Sequence, residues 1–180
     1  MFYCKRCDRD FPDDTAECPI CHAINFRLYR KKTAPIRNLI IFSDVLVFAT
    51  FLINVFLLVT CSHYCIIYDY GIFAAHAYYW ERFPALIPVE IVFSLLLLAL
   101  PLVSVVGRKR MHQRHRVGVK IMIGVYAGAM LWNIAFPLCT FMVTSVISPM
   151  LTFTVIMTAI FFALALTASI LLWNYDWIYT

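Results

Sequence analysis

The stretch IMIGVYAGAMLWNIAFPLCTFMVTSVISPMLTFTVIMTAIFFALALTASILLWNY, from Ile121 to Tyr175, contains no Asp, Glu, Lys, Arg or His over 55 residues. At about 1.5 Å rise per residue, one helix of that length would be about 80 Å long, against a bilayer core of about 30 Å. The run must therefore fold back once and give two membrane spans. The turn is expected between Thr144 and Pro149, where Ser145, Ser148 and Pro149 cluster. In hydrocarbon every backbone polar group has to be bonded internally, and a helix does this within one segment.

The rest of the chain fits the same solvent. It is 63% hydrophobic and 14% charged, with a mean hydropathy of +0.81. Globular domains sit nearer half apolar and a quarter charged. Four spans are expected, at about 39–61, 86–106, 117–141 and 151–173. The predicted fold class is an all-α membrane protein, a four-helix transmembrane bundle with a small N-terminal zinc ribbon. The expected domains are a ribbon at 1–23, a basic linker at 24–37 and the transmembrane domain at 38–177.

Charge placement orients the bundle. Of the 15 Lys and Arg residues, only Arg82 lies outside the regions Cys4–Arg37 and Arg108–Lys120. The positive-inside rule explains this pattern better than a nucleic-acid partner does. Both termini and the basic run Arg108–Arg116 are therefore expected in the cytoplasm. Met1–Arg37 holds no apolar h-region, so no signal peptide is expected there. Arg27, Arg30, Lys31 and Lys32 read either as a topological anchor or as a surface for anionic membrane lipids.

The N-terminal segment carries Cys4-Lys-Arg-Cys7 and Cys18-Pro-Ile-Cys21. Two such knuckles, separated by ten residues, can set four thiolates tetrahedrally around one metal ion. Zn²⁺ is favoured because four soft thiolates make a closed structural site, and iron is the second choice. Disulfides are the bland alternative, and the reducing side of the membrane argues against them. The segment is too short to bury a core, so bound metal would supply its folding energy. Asp8 and His22 stand where glycine often follows the second Cys of a knuckle. His22 is read as a bystander rather than a ligand.

Four polar residues interrupt the spans. Asp44, Asn54, Glu90 and Asn133 are candidates for a polar path between helices, because such groups inside a membrane usually face protein or water. Arg37, seven residues back on roughly the same face, is expected to screen Asp44; the alternative for Asp44 is a carboxylate reaching the inner headgroups. Gly124-x-x-x-Gly128, with Gly118 and Ala127, offers a small-residue surface for close helix packing. Pro101 and Pro137 predict kinks. The outer segment 62–84 is rich in aromatics suited to the interface, and holds His63 and His76 with Cys65; Cys61 and Cys65 could pair there. Trp173, Tyr175 and Trp177 read as an inner aromatic belt.

In layout the chain resembles a single module of the paraquat-inducible protein A family. The ribbon Cys4–Cys21 opens it. The stretch from Gly71-Ile to Ala99-Leu-Pro101-Leu is similar to the family's loop and second helix, and Ser169-Ile-Leu-Leu-Trp-Asn174 to its closing segment. Ser104 stands where the family tends to have Lys, and Met130-Leu-Trp132-Asn133 replaces its Trp-x-Met-x-Asp. The resemblance implies a bacterial inner-membrane component of envelope lipid transport, working with a partner of the mammalian-cell-entry type. Since many members carry two modules, it also implies a possible homo-oligomer. The competing expectation is a non-catalytic structural or regulatory subunit whose ribbon binds protein. A metal or redox sensor is a third. No phosphate-binding glycine loop, catalytic triad or open metal site is legible, so no enzyme activity is expected.

Overall fold

The computed structural model describes residues 1–59, 78–113, 115–147 and 151–174. The predicted outer-segment residues Cys61, Cys65, His63 and His76 and the terminal Tyr175 and Trp177 lie outside them. The chain divides into two compact units, Met1–Phe42 and Ser43–Thr180.

The first unit opens with an antiparallel hairpin, β1 (Phe2–Cys4) and β2 (Arg9–Phe11), in the register Phe2↔Phe11, Tyr3↔Asp10 and Cys4↔Arg9. A second, one-residue bridge joins Glu17 to Ile24. Helix α1 (Phe26–Val59) follows without a linker. The reason is Asn25, which is buried at the helix start. Its Oδ1 accepts the backbone N–H groups of Arg27 and Leu28, both at 3.2 Å, capping the first turn. Its Nδ2 donates to the carbonyls of Thr15 and Asp13, at 3.1 and 3.4 Å. Residues 26–37, expected to be a linker, are thus helical. Lys and Arg are good helix formers, and Pro35 removes one backbone donor without ending the helix.

The second unit contains the remainder of α1, α2 (Leu86–His112), α3 (Arg116–Thr144) and α4 (Leu151–Asn174). Residues 78–82 form a further helical turn. All four helices are long and apolar enough to cross a membrane: Arg37–Phe56, Leu86–His112, Arg116–Thr144 and Leu151–Trp173. These are the features of a membrane protein. The helices begin close to the expected positions, but α2 continues six residues past 106 through much of the basic run. The polar character of that run ends the span, not the helix. Helix α3 stops at Ser145, which takes a left-handed conformation (φ 58°) and donates its N–H to the Phe141 carbonyl at 2.8 Å.

Helix α3 is the centre of this unit, closely paired with both α2 and α4. Its buried residues, Val119, Met122, Val125, Tyr126, Ala129, Trp132, Asn133, Phe136 and Thr140, recur at three- and four-residue spacing. Trp132 and Phe136 stack at 5.1 Å, and Phe93 of α2 meets Phe136 at 5.2 Å. The Trp132 indole N–H donates to the Phe93 carbonyl at 2.8 Å. Phe51 and Val55 of α1 pack on the same cluster with Leu97. Thr154, Met157, Phe161, Leu164 and Ala168 form the matching stripe of α4.

Of the expected small-residue surface, Gly118 and Gly128 make close contacts, a Cβ on Gly128 meeting Leu100 at 3.2 Å, and Gly124 does not. A Cβ on Gly124 would meet nothing within 4 Å. A Cβ on Gly118 would meet the Met111 backbone nitrogen at 2.5 Å and the Gly107 carbonyl oxygen at 2.8 Å. The close approach of α2 and α3 is therefore set at their short turn, through Gly107 and Gly118. The helices that Pro101 and Pro137 were expected to kink are unbroken at both positions. In each a hydroxyl three residues on bonds the proline carbonyl, Ser104 at 2.8 Å and Thr140 at 2.9 Å. The glycine assignment predicts opposite outcomes for two alanines. Gly118→Ala should destabilise the protein by about 1–3 kcal/mol, because backbone must move. Gly124→Ala should be neutral, or stabilising by up to about 1 kcal/mol through helix propensity. Thermal unfolding in one detergent checks both, and equal effects would overturn the assignment.

Candidate metal centre and the polar residues of the bundle

The four N-terminal cysteines come together through two similar turns. In the first, the Cys4 carbonyl accepts the N–H groups of Cys7 at 3.2 Å and Asp8 at 2.9 Å; in the second, the Cys18 carbonyl accepts the N–H of His22 at 2.9 Å. Each turn closes with a left-handed residue, Asp8 at φ 53° and His22 at φ 55°. Glycine takes that conformation without strain, which is why it is common there. Here Asp and His adopt it, and the Asp8 carboxylate also accepts the Tyr3 hydroxyl. The bond to Asp8, more than burial, raises the Tyr3 phenol above its ordinary range.

The sulfur atoms of Cys4, Cys7, Cys18 and Cys21 all lie within 4.8 Å of one another. Cys4 and Cys21 are 3.5 Å apart, and Cys7 and Cys18 3.7 Å. A disulfide needs about 2.05 Å, and all four thiols are free. A tetrahedral tetrathiolate site with metal–sulfur bonds of about 2.3 Å has sulfur–sulfur edges of about 3.8 Å, so the cluster fits a metal ion as it stands. Cys4 and Cys18 are buried, Cys7 and Cys21 half-buried.

The surroundings divide the four thiols. Burial opposes charge on Cys18, but the backbone N–H groups of Cys21 and Ile20 point at its sulfur, and with the thiols of Cys21 and Cys4 they bring it down to about 6. Cys7 is pushed up to about 12, first by its bond with the Cys21 thiol and then by burial. A metal bound here would hold all four as thiolates, so its binding would release protons. His22 is exposed and stands 3.9 Å from Glu17, outside the four-sulfur cluster.

The polar residues of the spans do not gather into one place. Asn54 is buried and donates to the Thr50 carbonyl of its own helix at 2.8 Å. Asn133 is buried and donates to the Ala129 carbonyl at 2.8 Å. Glu90 accepts the Trp80 indole N–H at 3.0 Å near the start of α2. Asp44 has a partner from another helix: Arg108 of α2 comes within 3.3 Å of its Oδ2. The Asp44 side chain is 15% exposed, so it is held by the bundle rather than reaching freely to headgroups. The contact is an ion pair without hydrogen-bond alignment, since neither carboxylate oxygen has a donor in line. Arg37, the expected screen, is replaced by Arg108 in this role. Beside Asp44 in the chain, the buried Ser43 accepts the Tyr126 hydroxyl of α3. The Ser43–Tyr126 contact had no sequence signal beyond two polar residues in separate spans.

Where Asn133 faces α1, α2 and α4, the space among Thr50, Leu97, Trp132 and Phe161 is about 10 Å³. That holds one water at most. Larger grooves open on the outside of the bundle. One of about 630 Å³ lies along α2 and α3 beside Gly124, and one of about 510 Å³ along α3 and α4 beside Pro137. Of the basic residues suggested for headgroups, Arg27 and Lys31 are exposed on α1, whereas the side chains of Arg30 and Lys32 lie outside the described residues. No family model, curated protein or solved structure matches the chain.

The cysteine geometry predicts one metal ion per chain. Elemental analysis of purified protein should find it, and Cys7→Ser/Cys21→Ser should abolish it. His22→Gly should keep the full metal content, because glycine suits the left-handed turn. His22→Val should weaken metal retention against a chelator, because a β-branched residue resists that turn. Loss of metal in His22→Gly would instead make His22 a ligand.

Proposed function

We propose that this chain is a membrane-embedded interaction subunit: its four helices anchor a zinc-bearing ribbon at the cytoplasmic face, and the ribbon recruits a protein partner. Zinc is the metal preferred by four thiolates in a closed site, with iron second. The cytoplasmic placement rests on the basic residues flanking the spans. The observation that carries the reading is that each polar residue of the spans has a partner within the chain. Asn54, Asn133, Glu90 and Asp44 each bond within the chain, and the central space holds at most one water. A transport path would need those groups to line a shared cavity. Of the four, only Asn133 lines one of the described grooves, the one along α3 and α4.

A second reading, transport of lipid in a bacterial inner membrane with a partner of the mammalian-cell-entry type, draws on the resemblance to the paraquat-inducible protein A family. The two outer grooves favour it, because their apolar walls suit acyl chains. A paired copy of the chain could close such a groove.

Three measurements separate the readings. Single cysteines at Gln113 and Ser145, in a background lacking the other thiols of the membrane domain, should label from opposite sides, with Gln113 cytoplasmic. A photo-crosslinker at the exposed Ile20 should form a discrete protein adduct in intact cells. That adduct should vanish in Cys7→Ser/Cys21→Ser protein that still inserts; no adduct in metal-loaded protein would overturn the subunit reading. Asp44→Asn removes the charge and keeps the shape. It should destabilise the bundle by about 1–2 kcal/mol, between the values for exposed and buried pairs. It should leave envelope integrity and lipid transfer at wild-type levels in normally expressed protein. Lost transfer there would favour the transport reading.

A further inference from the structure

The ribbon has a slot that none of its own residues fills. It measures about 410 Å³ and lies between β1 and residues 23–25. No residue of β2 lines it, so it sits on the side of β1 that faces away from β2. Among the described residues β2 is the only strand paired with β1, and β1 is therefore an open edge. The opposite wall is firmly held. Ile24 bridges to Glu17, and the Asn25 backbone N–H donates to the Ala16 carbonyl at 2.9 Å.

The slot also has a sign. Lys5, Arg6 and Arg27 stand at its rim, all exposed. Lys5 and Arg6 make no ion pair among the described residues. The five acids of the ribbon, Asp8, Asp10, Asp13, Asp14 and Glu17, line none of it. Its floor is apolar, with Phe2 and Ile24 contributing. A tetrathiolate metal centre would draw some of the field of Lys5 and Arg6, and Asp13 draws some of that of Arg27, but the lining itself carries three basic side chains and no acid.

We infer that this slot binds an extended acidic segment of a partner protein, added as a third strand on the edge of β1. Backbone pairing with an edge strand supplies affinity, alternate apolar side chains enter the slot, and alternate acidic ones meet the rim. An anionic lipid surface would use the same cations. The peptide is favoured because the opening is a slot beside a strand edge rather than a flat basic face. The inference rests on the interaction-subunit reading and names the chemistry of its partner.

The test uses the full, zinc-loaded chain in phosphatidylcholine nanodiscs and a fluorescent eight-residue peptide of alternating Glu and Val. Anisotropy should show saturable binding. A Lys/Val peptide, and a Glu/Val peptide N-methylated at alternate residues, should each bind at least tenfold more weakly. Lys5→Glu/Arg6→Glu with unchanged metal content should also weaken Glu/Val binding at least tenfold. Absent binding, or equal binding of the N-methylated peptide, would overturn strand addition. Binding abolished by phosphatidylglycerol in the nanodisc would assign the cations to lipid and overturn the inference as well. A persistent Ile20 adduct in cells, alongside absent peptide binding, would remove the slot and leave the interaction-subunit reading standing.

Discussion

Hydrocarbon offers no hydrogen-bond partner, and this single constraint arranges the bundle. In water the helices would bury Leu, Ile and Val and expose Ser, Thr and Asn. Here Ser43, Thr50, Asn54, Ser104, Asn133, Thr140 and Thr154 are buried, while Leu95, Leu102, Leu131, Val155 and Phe162 are exposed. Burial against another helix gains little hydrophobic energy when the alternative is lipid. Packing and internal polar bonds decide the faces instead. Several of the buried groups bond to carbonyls of their own helix, as Thr50 does to Leu46, Asn54 to Thr50 and Thr144 to Thr140. Among the described residues, bonds that cross between helices include Trp132 to Phe93, Tyr126 to Ser43, and Asp44 to Arg108.

The N-terminal hairpin and its cysteine cluster face the opposite problem, that of too little apolar material for a core. The hairpin is only three residues a side, and Phe2 and Phe11 meet across it at 6.3 Å. A two-stranded hairpin of this size is marginal alone. The four sulfurs take the place of a core, and the turns that carry them spend two left-handed non-glycine residues to do so. Asn25 then ties the ribbon's last loop to the first turn of α1 through both ends of one side chain. Removing metal from such a unit should cost more order than removing any one apolar contact.

Much of this was legible in residue order. The uncharged run from Ile121 to Tyr175 required two spans, and the structure has two helices there, α3 and α4. The cysteine spacing required four sulfurs in one place, and they are within reach of one ion. The helical state of residues 26–37 was not legible, because a charged stretch between two modules looks like a linker until its cap is recognised. Asn25 was the available signal. It precedes a run of helix-forming residues, and Asn is a strong N-cap. The direction of each helix face was hidden for a different reason. A helix that is apolar all round shows no contrast between its sides, so the spacing of its residues cannot tell the inner face from the outer one. The small-residue surface was legible only in part on the same account: Gly118 and Gly128 do pack closely, whereas Gly124 faces open space and the partner Gly107 carried no signal.

The polar residues of the spans show why rarity alone does not assign a function. A polar side chain in a membrane helix is costly, and the cost can be met in two ways. One is a water-filled path shared with other polar groups. The other is a private bond within the chain. Sequence reports the cost and not the remedy. Asn54 and Asn133 take the second remedy through carbonyls four residues back, a bond that any helix provides at that spacing. Such residues can be structural without any transported species. Asp44 differs, because a carboxylate cannot donate to a backbone carbonyl while ionised and so needs a cation. Arg108 meets that need from the end of α2, where its own side chain remains 43% exposed. The pair is therefore placed where a charge on α1 can be met without taking a guanidinium fully out of water. That placement explains how an acidic residue persists in the first span.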